Sequence, residues 1–145
     1  MISIDTNLLI YARVQSSRWH QVAADFIEAL HERRDVAIAE LVLVEFYLAL
    51  RNPVIVEPAL NPAEAVGECR LFRDHPHWAL IENAEVMNDV WFEAGQPQFA
   101  RRRIIDVRFA KTLIAHGITD FATANPKDFQ GMGFSRVWNP LDSGE

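Results

Sequence analysis

Trp19, Val22, Ala23, Phe26, Ile27 and Leu30 recur at three- and four-residue intervals, which places one apolar stripe on a helix running from Trp19 to about Arg34. Before it, Ile2-Ser3-Ile4 is a short β-like run. Asp5-Thr6-Asn7 then supplies cap-forming side chains ahead of Leu8, Leu9, Ile10 and Tyr11, so the chain opens as strand, turn, helix. Val36-Ala37-Ile38 predicts a second strand. Glu40 to Arg51 predicts a helix stopped by Asn52-Pro53, because proline disfavours helix in the residue before it. Pro53, Pro58 and Pro62 mark a loop, and Ala63 to Arg73 is helical in pattern. His75-Pro76-His77 breaks the chain before a strand at Trp78-Ala79-Leu80-Ile81. Val86, Val90 and Trp91 suit a helix ending near Gly95, and a long helix runs from about Arg103 to His116 with Gly117 at C′. Phe121-Ala122-Thr123 and Ser135-Arg136-Val137-Trp138 read as the last strands.

Strands alternating with helices predict an α/β fold, a three-layer α/β/α arrangement around a mostly parallel sheet of about four to five strands. With 145 residues, half of them apolar, and no repeat, low-complexity tract or linker, a single domain over 1–145 is expected. The lone Cys69 forms no intramolecular disulfide and fits a reducing compartment. The opening residues lack a basic region followed by an apolar stretch, and no apolar run approaches the ~20 residues of a membrane span. The expectation is a cytoplasmic protein without membrane contact. A formal net charge of -6 excludes a generally basic surface, so contact with a polyanion needs a local patch. Arg101, Arg102 and Arg103 form the candidate, with Arg108 and Lys111 following at helical spacing; the same residues also suit a solvated helix start.

In open parallel sheets, sites form outside the carboxyl ends of the strands, which directs attention to Asp5 and Asn125. Asp5 also reads as an N-cap. Glu45 lies within Leu41-Val42-Leu43-Val44-Glu45-Phe46-Tyr47-Leu48, a helix apolar on nearly every face and therefore expected to be buried. A buried carboxylate loses hydration worth several kcal/mol or takes up a proton, so it calls for a cation, a donor network or a wet cleft. Asp106 stands near the start of the final long helix, where the positive end of the dipole also welcomes an acid. If Asp5, Glu45 and Asp106 converge, each pair at ~4 Å repels by on the order of 4 kcal/mol at an effective dielectric of about 20, so the cluster requires a cation. Hard oxygen donors favour magnesium or manganese. Asn125 and Asp128, in Thr123-Ala124-Asn125-Pro126-Lys127-Asp128-Phe129, are candidate further ligands, and both also suit ordinary turn chemistry. Asp120 begins its strand, and so belongs at the wrong edge of the sheet.

These segments resemble the PIN-domain nucleases, and among them the VapC-type toxins of toxin–antitoxin pairs. The resemblance spans nearly the whole length. It rests on Ile4-Asp5-Thr6-Asn7-Leu8-Leu9-Ile10, on Leu43-Val44-Glu45-Phe46-Tyr47 with Arg51-Asn52-Pro53, on Ile105-Asp106 opening a helix that closes at His116-Gly117, and on Phe121 to Phe129. It implies a magnesium- or manganese-dependent endoribonuclease in which Asp5, Glu45 and Asp106 hold the metal and Asn125 takes a fourth polar position. Where that position is an aspartate a second metal is easier to hold, so Asn125 leaves one metal, or help from Asp128, open. The resemblance further implies a homodimer and a cognate antitoxin whose tail occupies the acidic groove. RNA is the implied substrate, with Arg101 to Arg103, and also Arg13, Lys111 or Lys127, as candidate phosphate contacts.

Two other readings compete. One is a PIN-like scaffold that binds RNA or protein without cutting, for which Asn125 is the best support. The other is a phosphotransfer domain, since Asp5 follows the first strand; against it, no Gly-rich phosphate loop follows, and Asp5-Thr6-Asn7 lacks the second aspartate that haloacid-dehalogenase-like enzymes place two residues on. His75-Pro76-His77 reads as a surface loop rather than a metal pair. His116 suits the helix C-terminus, and the four tryptophans suit core or interface.

Overall fold

A computed structural model describes residues 1–142; 143–145, the end of the expected domain, lie outside the described residues. Ile2–Ile4 forms β1, followed by α1 (Thr6–Arg13) and α2 (His20–Leu30). Then come β2 (Val36–Ala39), α3 (Glu40–Leu50), α4 (Pro62–Arg73), β3 (Ala79–Ile81), α5 (Met87–Ala94) and α6 (Arg103–Ala115). The chain closes with β4 (Asp120–Ala122), a 3-10 turn at Pro126–Asp128, β5 (Arg136–Trp138) and a second 3-10 turn at Pro140–Asp142. No helix among the described residues is long and apolar enough to cross a membrane.

All five strands run parallel in the order β3-β2-β1-β4-β5. β2 is buried at every position, as a strand covered on both faces must be. Ser3, fully buried in β1, donates its hydroxyl to the Ala37 carbonyl at 2.8 Å and so enters the core without an orphaned polar group. From β1 the chain steps through β2 to β3, then jumps back across β1 to β4. Right-handed crossovers therefore carry α1 to α4 over one face and α5 and α6 over the other. The packing agrees: α1 meets α2 and α3, α3 meets α4, and α5 meets α6. The expected three-layer α/β fold is the one observed. At the sheet centre Phe121 is fully buried among Phe109, Phe129 and Phe134, with ring centroids 5.5, 4.8 and 5.3 Å away.

Most differences from the sequence reading lie at element ends. Trp19 caps α2 instead of beginning it, and packs on Tyr11 with centroids 4.9 Å apart. α2 stops at Leu30, and Arg33 pairs with Asp35 across the turn into β2 (Nε to Oδ1, 2.8 Å). Trp78 lies just outside β3, buried, with its indole N–H donated to the Leu30 carbonyl at 3.0 Å. Asn61 and Glu64 close a capping box that opens α4 one residue early, with Pro62 in the first turn. Gly117 takes the expected C′ role with φ 83°.

One expectation fails in its substance. α3 is not buried all round: Val42, Leu43, Phe46, Ala49 and Leu50 cover the sheet, while Val44 and Leu48 are 55% and 62% exposed. Glu45 shares that outer face and is itself exposed. The helix is apolar on both sides because its outer side walls a cleft.

Candidate active site

The reversal of strand order at β1 and β4 opens a crevice beyond their carboxyl ends, the position where open α/β sheets bind ligands. Residues immediately after those strands, and residues of the helices flanking them, line a cleft of about 730 Å³. Its floor gathers Asp5, Glu45, Asp106, Asn125 and Asp128, every candidate ligand named from the sequence. Leu41, Val44, Leu48, Ile55 and Ile105 supply apolar walls.

Asp5 serves two structures at once. Its Oδ1 accepts the Thr6 backbone N–H at 2.8 Å as the α1 cap, and its Oδ2 accepts the Thr123 hydroxyl at 2.7 Å. Cap and cleft residue are thus the same side chain. Burial raises its pKa, the two hydrogen bonds partly offset that rise, and the charges of Asp106 and Asp128 add to it. Glu45 reaches the cleft from α3, and its Oε1 accepts the Thr6 hydroxyl at 3.2 Å. Although exposed by surface area, its carboxylate is raised first by lost hydration and then by Asp5 and Asp106. Asp106 enters from the first turn of α6, raised by burial and by Asp128, with Arg103 pulling the other way. The four acids therefore share one electrostatic field. Among the described residues no three His, Cys, Asp or Glu side chains are already clustered so as to hold a metal ion.

Thr123 belongs to the site although it is not among the residues expected from the sequence. It is fully buried at the end of β4; its hydroxyl donates to Asp5 and accepts the Asn125 backbone N–H at 3.0 Å. Asn7, on α1, accepts the Ala124 N–H at 3.3 Å and ties the same two strand ends together. Hydroxyl and amide residues beside the strand-end acids were the available signal. Asp120, at the other end of β4, pairs with Thr119 at 2.7 Å and does not line the cleft.

The basic candidates separate. Arg101 and Arg102 are exposed and outside the cleft lining, and Arg103 lines a small hollow with Glu93 and Lys111. Arg13 is held by Glu68 at 2.8 Å, and Lys111 by Glu93 at 3.1 Å. Lys127 is exposed on the 3-10 turn. Arg108 is the one basic residue among those lining the cleft.

Raised carboxylate pKa values carry a stability consequence. A folded-state pKa above the unfolded value means stability that is complete below the unfolded pKa and lost as pH rises through the folded one. Asp106→Asn removes one such charge. In chelator at pH 7.5 it is expected to raise Tm by about 2–4 °C, and the gain should vanish below about pH 4, where both forms are uncharged. Calorimetry of both proteins across that range checks the sign; a lower Tm at pH 7.5 would mean that the acids do not strain the fold.

No family model matches the chain. Among solved structures, VapC20 of Mycobacterium tuberculosis, described as a sarcin-ricin loop cleaving toxin, superposes with TM-score 0.63 at 14% identity, covering 83% of this chain and 87% of that one. FitAcB from Neisseria gonorrhoeae gives 0.63 at 19% identity over 98% and 99%, and FitAB bound to a DNA fragment gives 0.61 at 16% over 97% and 96%. At these identities the likeness is one of fold alone, the three-layer α/β/α fold of the PIN domain. Ribonuclease VapC24 of Mycobacterium tuberculosis, found in two strains, is 50% identical over 143 residues, 99% of each chain. The chain belongs to the VapC ribonucleases, endoribonuclease toxins of toxin–antitoxin systems.

Proposed function

We propose that this ribonuclease cuts RNA in the acidic cleft with a divalent cation, magnesium or manganese, held by Asp5, Glu45 and Asp106, within a single nuclease domain. The observation that carries the reading is the gathering of these carboxylates, with Asp128, around one crevice where the charges of Asp5, Asp106 and Asp128 add to the raised pKa values of their neighbours. Such a set is stabilised by positive charge, and its hard oxygen donors fit these ions. Asn125 and Asp128 are the candidate further ligands. Asn125 brings an oxygen without charge, which suits one ion better than two.

A divalent cation, when bound, supplies Lewis acidity and a lowered pKa for water. The chain supplies position. Thr123 and the Thr6 N–H hold both oxygens of Asp5, so its carboxylate cannot swing away from the crevice. Thr6 holds Glu45 through Oε1 and leaves Oε2 open to orient a water by accepting its proton's hydrogen bond. The apolar walls restrict solvent and offer surface to unstacked bases. Arg101 to Arg103, beyond the cleft, are proposed as phosphate contacts for the flanking RNA.

A cognate antitoxin is the proposed protein partner; an acidic floor beneath apolar walls suits an inserted segment carrying a basic side chain among apolar ones. A homodimer in the cytoplasm is proposed with it. Incubation of the pure protein with mixed RNA is expected to give cleavage with magnesium and none after chelation, restored by excess magnesium. Cleavage that survives chelation would overturn the metal; none under any condition, at high protein, would favour a binding module.

A further inference from the structure

The cleft has four carboxylates and one guanidinium among its lining residues, and that guanidinium is uncommitted. Arg108 is exposed on α6, two residues beyond Asp106, and among the described residues its side chain makes no hydrogen bond or ion pair; its backbone carbonyl accepts the Thr112 hydroxyl at 2.8 Å. The other basic side chains considered for RNA are placed differently. Arg13 and Lys111 are tied to Glu68 and Glu93, and Arg101, Arg102, Arg103 and Lys127 do not line the cleft. On the helix, residues two apart point about 200° apart, so Arg108 sits beyond Ile105 from Asp106, at the rim instead of on the floor. An arginine wanted to neutralise the acids would pair with one of them. This one stands off, with the 66% exposed Ile105 between it and the acidic floor.

We propose that Arg108 is a substrate-positioning residue that grips an RNA phosphate flanking the scissile one. The inference rests on the cleft being the RNA-cutting site. A polyanion entering a cleft floored by acids is repelled everywhere except where a cation waits, and a guanidinium offers a phosphate two parallel hydrogen bonds that an ammonium does not. Gripping a neighbouring phosphate at the rim sets the register of the strand, so that one linkage lies over the floor. The contact is equally present in bound substrate and in transition state. Its loss should therefore weaken binding and leave the chemical step alone.

The test is steady-state cleavage of a short single-stranded oligoribonucleotide at fixed magnesium, with monovalent salt varied. Arg108→Ala is expected to raise KM by roughly tenfold with kcat within about twofold. The salt dependence of log kcat/KM should become shallower by about 0.7, the loss of one phosphate contact to a single strand. Arg108→Lys should recover the salt slope but only part of the KM, since it keeps the charge and loses the fork. Unchanged KM and slope in Arg108→Ala would overturn the inference, as would a fall in kcat with KM unmoved. Asp5→Asn, run in parallel, keeps the two readings apart. If it cleaves like the parent, the cleft itself is misassigned; if it is dead while Arg108→Ala is silent, only the role of Arg108 falls.

Discussion

Asp5→Asn is expected to lower kcat/KM for RNA cleavage by at least about a thousandfold, a loss on the order of 4 kcal/mol of transition-state stabilisation, while the protein remains folded. The size follows from where the charge sits. Asp5 is the acid that both β1 and β4 position, and its two oxygens are already fixed by hydrogen bonds before any ligand arrives. Asparagine keeps the shape, and its Oδ1 still caps α1. What is lost is the anionic oxygen facing Thr123, where an amide N–H donates into a hydroxyl that must turn away. Glu45→Gln and Asp106→Asn should fall in the same direction, and the triple variant should be little worse than Asp5→Asn, because groups that act as a unit fail as a unit. Cleavage kinetics with magnesium, paired with a thermal melt, checks this. Activity within tenfold of the parent would place the chemistry elsewhere.

Phe121→Ala is expected to cost about 3–5 kcal/mol of folding stability, a large share of the roughly 5–15 kcal/mol that holds a domain together. Phe121 is fully buried in β4, and three other phenylalanines close around it from α6 and from the segment after β4. Removing the ring leaves a hollow that a β-sheet centre cannot collapse to fill, since paired strands on either side hold the backbone apart. Urea unfolding should show a lower midpoint with the slope m unchanged. A loss below about 1 kcal/mol would mean that the four rings do not form the structural centre.

The order and kind of the main elements were legible in the sequence because apolar spacing and breakers such as Pro53 and Gly117 act over a few residues. Where the signal depended on packing, legibility ended. The outer face of α3 reads as core because Val44 and Leu48 are apolar, and no local property distinguishes a core face from a cleft wall. The acids of the cleft stood out for a different reason, Glu45 by its apolar neighbours and Asp5 by following a strand. Thr123 did not, since a threonine in a strand needs no explanation until Asp5 is found 2.7 Å away. His31 shows the same limit. The sequence reads His75-Pro76-His77 as a surface loop, and the fold sets His75 Nε2 3.0 Å from His31 Nδ1, across 44 residues of chain.

The hydrogen bond between Asp5 and Thr123 joins residues 118 apart in a chain of 145. Synthesis from the ribosome delivers Thr123 118 residues after Asp5, and β1 has no β4 beside it until then. A growing chain that has not reached Phe121 carries Asp5, Glu45 and Asp106 yet lacks the strand that aims the first of them. Pairings this distant in sequence form slowly in general, because the loop entropy is lost before the contact rewards it. With Asp5 in its proposed role, a chain that stops short of β4 should carry the acids and fail to cut, and the toxin is armed only once β4 has joined β1.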